Sequence, residues 1–336
     1  MFLPEVPKCP ATRRHHRAAG PAPDLSIIIV NWNTREILRN ALTSVEKHLG
    51  GVVHETIVVD NASADGSADM VASAFPSVRL LRNPENVGFA RANNQAMKVA
   101  RGKWFLLLNS DIVVTDDSVA RLWEKVKDDP SIGVAHCRLV MGDGRLQHTT
   151  YRFPGVRLAL LEDFGLYKLL PPARRASTLL AGYWDQTEER DVDWVAGAFM
   201  LLPRVVFEKT GGFSEAYFMY GEDMEWCYRI RDAGWRIRYF PQATIVHLDH
   251  QSSAIRWGDR RVAICLERQL DIYARRKGRV RGSLYHLVKT AGAAFRVGYF
   301  SLRSLGGGEH AEYHREMRRF YMLSFRTIAG LLTGNR

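Results

Sequence analysis

A short apolar run that ends in polar residues and leads into an amphipathic helix recurs four times in the first 130 residues, and this pattern constrains the fold most. LSIIIVN (residues 25–31) is β-branched, and residues 34–48 then carry Ile37, Leu38, Ala41, Leu42 and Val45 at helical spacing. Residues 56–59 lead to a helix from about Asp65, 78–81 to a helix over 89–100, and 104–108 to a helix over 117–127. Such strands need helices on both faces, so the expected fold class is α/β, a mostly parallel Rossmann-like sheet covered on both sides. Ligands of open sheets of this kind sit beyond the carboxyl ends of the strands. The strand-ending residues to inspect are therefore Asn31-Trp32-Asn33, Asp60-Asn61, Arg82-Asn83 and Asn109-Ser110-Asp111.

After about Gly133 the regularity weakens, and residues 151–191, with Pro154, Pro171, Pro172 and Arg174-Arg175, read as a variable surface insertion. Order returns over 194–202, in a helix near 224–233, and in two strand-like runs, 236–240 and 243–247. Cys9, Cys137, Cys227 and Cys265 form no C-x-x-C and have no paired histidines at ligand spacing, which argues against a zinc site or a disulfide framework and suits a reducing compartment.

Charge is unevenly placed. The net +11 resides in the segment from Arg256 onward, with 17 Lys+Arg against 6 Asp+Glu, while residues 1–23 add a little and the body between is slightly acidic. A basic end on a near-neutral body points to an anionic surface, membrane or nucleic acid. The start has no apolar h-region and reads as a disordered basic leader, and no run of 18 apolar residues predicts a transmembrane helix.

Four features carry candidate chemistry. WFLLLNSD delivers Asp111 to a strand's carboxyl end, where it either binds a divalent cation that neutralises a diphosphate leaving group or caps a turn. Tyr220-Gly221-Glu222-Asp223 opens a helix, so its acids serve either as caps or as a general base for an attacking hydroxyl. His247, ending ATIVHLDH with Asp249 and His250 beside it, is either structural or the imidazole of a mixed O/N metal site. Asp60 either accepts the N3–H of a uracil or thymine ring or forms an Asx-turn with Asn61 and Ser63. Asn86, Gly88, Arg91 and Asn93 surround a helix start suited to phosphate or ribose.

In order, VNWN, DNASADGS, NPENVGFARANN, LLLNSD, WVAGAFML and GGFSEAYFMYGEDMEWCYRIRDAGW, with the later His247, resemble the bacterial family 2 glycosyltransferases of GT-A fold, nearest the rhamnosyltransferase-like branch, over about residues 24–250. The resemblance implies an inverting transferase using Mg²⁺ or Mn²⁺ in a single in-line displacement. It places Asp60 on the nucleotide base, Asp111 on the metal, His247 on the metal or diphosphate, and Asp223 on the acceptor hydroxyl with Glu222 as helper. Asn31, Asn33, Asn86, Gly88, Arg91, Asn93, Asn109 and Ser110 complete the expected donor site. The family's metal motif is commonly Asp-x-Asp; here Asn109 fills the first position and removes one charge.

The expected reaction moves rhamnose or another hexose from a dTDP- or UDP-sugar to a lipid-linked saccharide of cell-wall or surface-polysaccharide synthesis. A sugar nucleotidyltransferase or a dehydrogenase would need a Gly-rich loop after the first strand, where this chain has Asn31-Trp32-Asn33-Thr34. A non-catalytic nucleotide-sugar scaffold would have no need of Asp111, Glu222, Asp223 and His247 together. The expected division is a leader (1–23), a catalytic domain (24–255) with nucleotide-binding (24–130) and acceptor-binding (131–255) halves, and a basic helical tail (256–336). In the tail Leu284, Val288, Ala291, Phe295, Tyr299 and Leu302 form one stripe with Lys289, Arg296 and Arg303 beside it, and Met317, Tyr321, Ser324 and Ile328 a second with Arg315, Arg318, Arg319 and Arg326 nearby. The partner expected for the tail is an anionic membrane surface on the cytoplasmic face of the plasma membrane, with no nucleic acid.

Overall fold

A computed structural model describes residues 22–49, 51–248, 260–306 and 310–333. All but the last two residues of the expected leader lie outside these ranges, as do Asp249, His250 and Arg256.

The four strand–helix units form β1 (Leu25–Asn31), α1 (Arg35–His48), β2 (His54–Asp60), α2 (Ser67–Ala74), β3 (Arg79–Arg82), α3 (Phe89–Val99), β4 (Trp104–Asn109), the short β5 (Ile112–Val113) and α4 (Ser118–Val126). β3, β2, β1 and β4 run parallel in that order. Alternation along β1 divides the core: Leu25, Ile27 and Ile29 pack with Leu38, Leu42 and Val45 of α1, and Ile28 with Ala92, Ala96 and Met97 of α3. Burying each such side chain contributes about 1.5–3 kcal/mol, so both faces resist substitution.

Beyond α4 the chain adds β6 (Ile132–Val140), β7 (Leu146–Gln147), β8 (Thr150–Tyr151), α5 (Val156–Asp163), α6 (Pro172–Leu179), β9 (Arg190–Val192), β10 (Trp194–Val195), β11 (Phe199–Pro203), α7 (Arg204–Thr210), α8 (Glu222–Asp232) and β12 (Arg236–His247). β11 enters antiparallel beside β4, and β6, β12 and β5 follow. Three readings of this half need correction. β6 lies between β11 and β12, so order does not weaken at Gly133; His136, Cys137 and Arg138 break its apolar run. The two runs 236–240 and 243–247 are one strand whose register shifts between Phe240 and Thr244, where Pro241 has no N–H to give. The insertion 151–191 sends Leu179, Leu180 and Trp184 into the core.

Three helices end the chain: α9 (Arg260–Lys277), α10 (Arg279–Leu305) and α11 (Ala311–Thr333). They pack on one another and on α5 through Ala159, Leu270, Tyr273, Tyr285, Ala293 and Ile328. Lys289 Nζ lies 3.0 Å from Asp163 Oδ1, and Arg296 donates to the carbonyls of Glu162 and Asp163 at the end of α5. These two cations therefore face inward, whereas Leu284, Phe295 and Leu302 are exposed. Of the expected apolar stripe of α10, Leu284, Ala291, Phe295 and Leu302 lie on the outer face, while Val288 packs into the core shared with α5. On α11 the stripe faces inward as the spacing suggests, with Ser324 and Ile328 buried.

Candidate active site

Register sets the site. β1 pairs Asn31 with Asp60 of β2, and Val30 with Asn109 of β4, so the polar ends of three strands arrive together. Antiparallel β12 brings His247 opposite Ile112, and Leu248 N donates to Asp111 O (2.9 Å). A cavity of about 750 Å³ opens at this edge. Asn86, Gly88, Asn109, Ser110, Asp111, Glu222, Asp223 and His247 line it.

Of the expected donor-site residues, Asn31, Asn33, Asp60, Arg91 and Asn93 do not reach the cavity wall, whereas Trp32 and Asn61 from the first two strand ends do. Asp60 is buried, with Asn31 Nδ2 donating to Oδ1 (3.1 Å) and Ser63 N to Oδ2 (3.0 Å), which is the Asx-turn arrangement. Asn31 Oδ1 lies 2.6 Å from Thr34 Oγ1, which stands 3.1 Å from Ser110 Oγ and ties β1 to the end of β4. Asn33, at φ 54°, accepts from Ala64 N (2.7 Å) and so holds the two strand-end loops together. Arg91 points outward, 3.9 Å from Glu215, and buried Asn93 donates to Phe89 O of its own helix (3.0 Å). In their place Asn61 reaches the cavity, with its amide bonded to Asn86 Oδ1 and Gly88 O.

Asp111 Oδ1 stands 3.1 Å from His247 Nε2, and Asn109 Nδ2 is 3.4 Å from the same nitrogen. His247 Nδ1 is 2.7 Å from Gln147 Oε1, so Nδ1 is the donor to that amide and the neutral ring would turn the lone pair of Nε2 toward Asp111. Two electron-rich atoms converging in a buried position suit a divalent cation, and carboxylate plus imidazole is a donor set that Mn²⁺ or Mg²⁺ accepts when phosphate oxygens complete it. No group of three or more His, Cys, Asp or Glu is placed to hold a metal among the described residues. Among the described residues the donors that converge here are two side chains, Asp111 and His247.

Across the cavity, Gly221 at φ +93° turns the chain into α8, whose first turn holds Glu222 and Asp223. Burial, and then the charge of Asp223, push Glu222 well above the ordinary carboxylate range. Burial also raises Asp223, but the N–H groups of Met224 and Gly197 oppose it, donating over 2.7 and 3.1 Å. Buried His136 is held neutral, its value lowered to about 4 by burial, and bridges Phe199 O and Thr149 Oγ1 behind the wall.

Residues 26–184 match the family described as Glycosyl transferase family 2, and residues 188–251 match the N-terminal domain of galactosyltransferase. Residues 26–184 belong to glycosyltransferase family 2. The chain is 27% identical over 237 residues to N-acetylglucosaminyl-diphospho-decaprenol L-rhamnosyltransferase of Mycobacterium tuberculosis (strain ATCC 25618 / H37Rv), spanning 66% of this chain and 75% of the relative. It is 29% identical over 185 residues to rhamnosyltransferase WbbL of Escherichia coli (strain K12), spanning 51% and 66%. Among solved structures, the Pyrobaculum calidifontis mannosyltransferase PcManGT, in complex with GDP-Man and Mn²⁺, shares its fold at TM-score 0.59 and 17% identity over 94% of this chain and 89% of that one. This glycosyltransferase therefore has the GT-A fold and lies in the rhamnosyltransferase-like branch.

Sequence reasoning missed part of the glycosyltransferase's wall. Gln147, Tyr151 and Trp194 come from two-residue strands too short to register as periodicity, Thr149 from the link between two of them, and Arg261, Cys265, Leu266 and Gln269 from α9, in the segment read as a separate tail.

Proposed function

We propose that this glycosyltransferase moves rhamnose or a related hexose from a dTDP- or UDP-linked donor to a hydroxyl of a lipid-linked saccharide in cell-wall or surface-polysaccharide synthesis, with inversion and with Mg²⁺ or Mn²⁺ bound. One observation carries the reading: the Asp111–His247 pair and the Asp223 carboxylate share one cavity. Asp111 and His247 would hold the cation. The cation, when bound, offsets the charge that develops on the nucleoside diphosphate as the sugar leaves.

The protein's residues supply the remainder. Asp223 takes the proton of the attacking hydroxyl, its carboxylate kept oriented by the N–H groups of Gly197 and Met224. Asn109 and Gln147 fix the imidazole of His247, and Gly88, at φ +87°, lets the start of α3 close under Phe218, whose carbonyl accepts from Phe89 N (2.9 Å). The diphospho-decaprenol in the name of the mycobacterial relative supports a lipid-linked acceptor.

The test is release of nucleoside diphosphate from a donor panel, with and without acceptor lipid extract, in Mn²⁺, Mg²⁺ or EDTA. Metal-dependent release from dTDP-rhamnose that rises with extract is the expected result. Release from no donor under any condition would sink the reading and leave a nucleotide-sugar-binding protein in its place.

A further inference from the structure

The described residues that line the cavity include three carboxyls, Asp111, Glu222 and Asp223, but a single side chain of the Lys/Arg type, Arg261. Three other arginines of α9 are engaged, Arg275 with Asp271, Arg276 with Asp232, and Arg268 over the ring of Tyr217, and Arg260 does not line the cavity. Arg261 makes no ion pair among the described residues. A guanidinium facing a ligand-sized cavity without a protein anion is placed for an anion that the ligand brings.

Which anion follows from where α9 lies. It packs on α8, with Ile272 against Met224 and Tyr228, and a Cβ at Gly221 would meet Arg268 Cβ at 2.9 Å. The helix that presents Arg261 thus rests on the helix that presents Asp223, whereas Asp111 and His247 belong to the sheet edge. On that side of the cavity Tyr151 and Trp194 stack at 4.3 Å and 21° across the β8–β10 pair. Tyr151 Oη donates to His148 O (2.6 Å) and Trp194 Nε1 to Arg152 O (3.0 Å), which anchors their polar ends. Three residues after Trp194, Gly197 N holds Asp223. Anchored aromatic faces beside a base suit the C–H face of a sugar ring, which is apolar while its hydroxyls point to the rim.

We infer that the wall built by α9 and the β8–β10 ribbon is the acceptor subsite, where the Tyr151–Trp194 pair packs on a sugar ring and Arg261 binds a phosphate carried by that sugar. The substrate class is a glycosyl phosphate or diphosphate, and the inference rests on the acceptor side of the proposed reaction.

The test uses the full chain saturated with nucleoside diphosphate and Mn²⁺, so that the donor's phosphate position is filled. Hexose and N-acetylhexosamine 1-phosphates and their methyl glycosides serve as paired probes, followed by saturation-transfer NMR and calorimetry. At least one 1-phosphate should bind about tenfold more tightly than its methyl glycoside, the size expected for a charge-assisted contact. R261Q should erase that preference and R261K retain part of it, while W194L, checked for an unchanged melting temperature, should weaken both members of the pair alike. Nucleoside diphosphate affinity should be the same in wild type and R261Q. A phosphate preference that survives R261Q, no preference in wild type, or weaker nucleoside diphosphate binding in R261Q would each overturn the inference. Failure of the proposed reaction itself is read separately, as absent metal-dependent donor turnover in the wild-type enzyme.

Discussion

Asp223 accepts from two backbone N–H groups, while Glu222, the more deeply buried of the two, has an Oε2 with no hydrogen-bond partner among the described residues. Two adjacent carboxyls in a dry site do not both ionise readily, and the one with fixed donors ionises first. On the proposed mechanism Glu222 would keep its proton and Asp223 would serve as the base. D223N should lower turnover by roughly two to four orders of magnitude with donor binding nearly intact, and E222Q, which mimics the neutral acid, should keep most activity. Burial raises Asp223 above its ordinary value, so the base is lost to protonation as pH falls through that raised value. The acid limb of kcat/KM should accordingly lie above the usual aspartate range, and a limb at or below it would show that the base is neither Asp223 nor the still more strongly raised Glu222. Gln147 acts through His247. Q147L frees the ring to turn Nε2 away, so Mn²⁺ affinity, read by electron paramagnetic resonance, should fall about 10–100-fold with the melting temperature of the metal-free protein little changed.

At the scale of elements, the parallel half was legible because each strand and helix buries a face of regular period, as with Leu25, Ile27 and Ile29 against α1. The acid pair and His247 were also visible, since they end or begin elements whose direction the sequence gives away. What stayed hidden depends on contacts between distant segments. Asp60 shows no sign in sequence that Asn31, 29 residues away, will occupy its Oδ1. α9 reads as part of a tail because amphipathic periodicity marks a buried face without saying what covers it; here α8 does, through Ile272. Gly221 is where that packing is tested. Its φ of +93° and the approach of Arg268 Cβ to 2.9 Å leave no room for a side chain. G221A should therefore destabilise the fold by about 1–3 kcal/mol and lower activity by displacing α9 from the acceptor wall, and a variant with wild-type melting and kinetics would show that α9 does not need this contact.

Across the whole molecule, the tail helices use their cations and their apolar residues in opposite ways from simple expectation. Lys289 and Arg296 dock the tail on α5, while Val280, Leu287, Leu302 and Leu305 of α10 stand at least 61% exposed. At about 100° per residue these four, with Leu284 and Phe295, fall on one side of the helix, and Arg279, Arg281 and Arg303 are exposed on the same helix. An apolar stripe left in water beside cations fits the boundary of an anionic leaflet, and no helix among the described residues is long and apolar enough to cross a membrane. The proposed location is peripheral, on the inner face of the plasma membrane, where a lipid-linked acceptor would be met. Removing everything from α9 onward would not isolate this role, because α9 also lines the cavity. Substitution on the outer face does isolate it. In co-sedimentation the full chain should bind vesicles more as their anionic lipid content rises and less as salt is added, since each basic residue near the leaflet contributes about 1 kcal/mol and is screened. L302E with L305E should abolish binding while turnover of a soluble acceptor analogue stays at the wild-type level. Vesicle binding unchanged in that double variant, or no binding by the wild type at low salt, would show that the outer face of α10 does not meet a membrane.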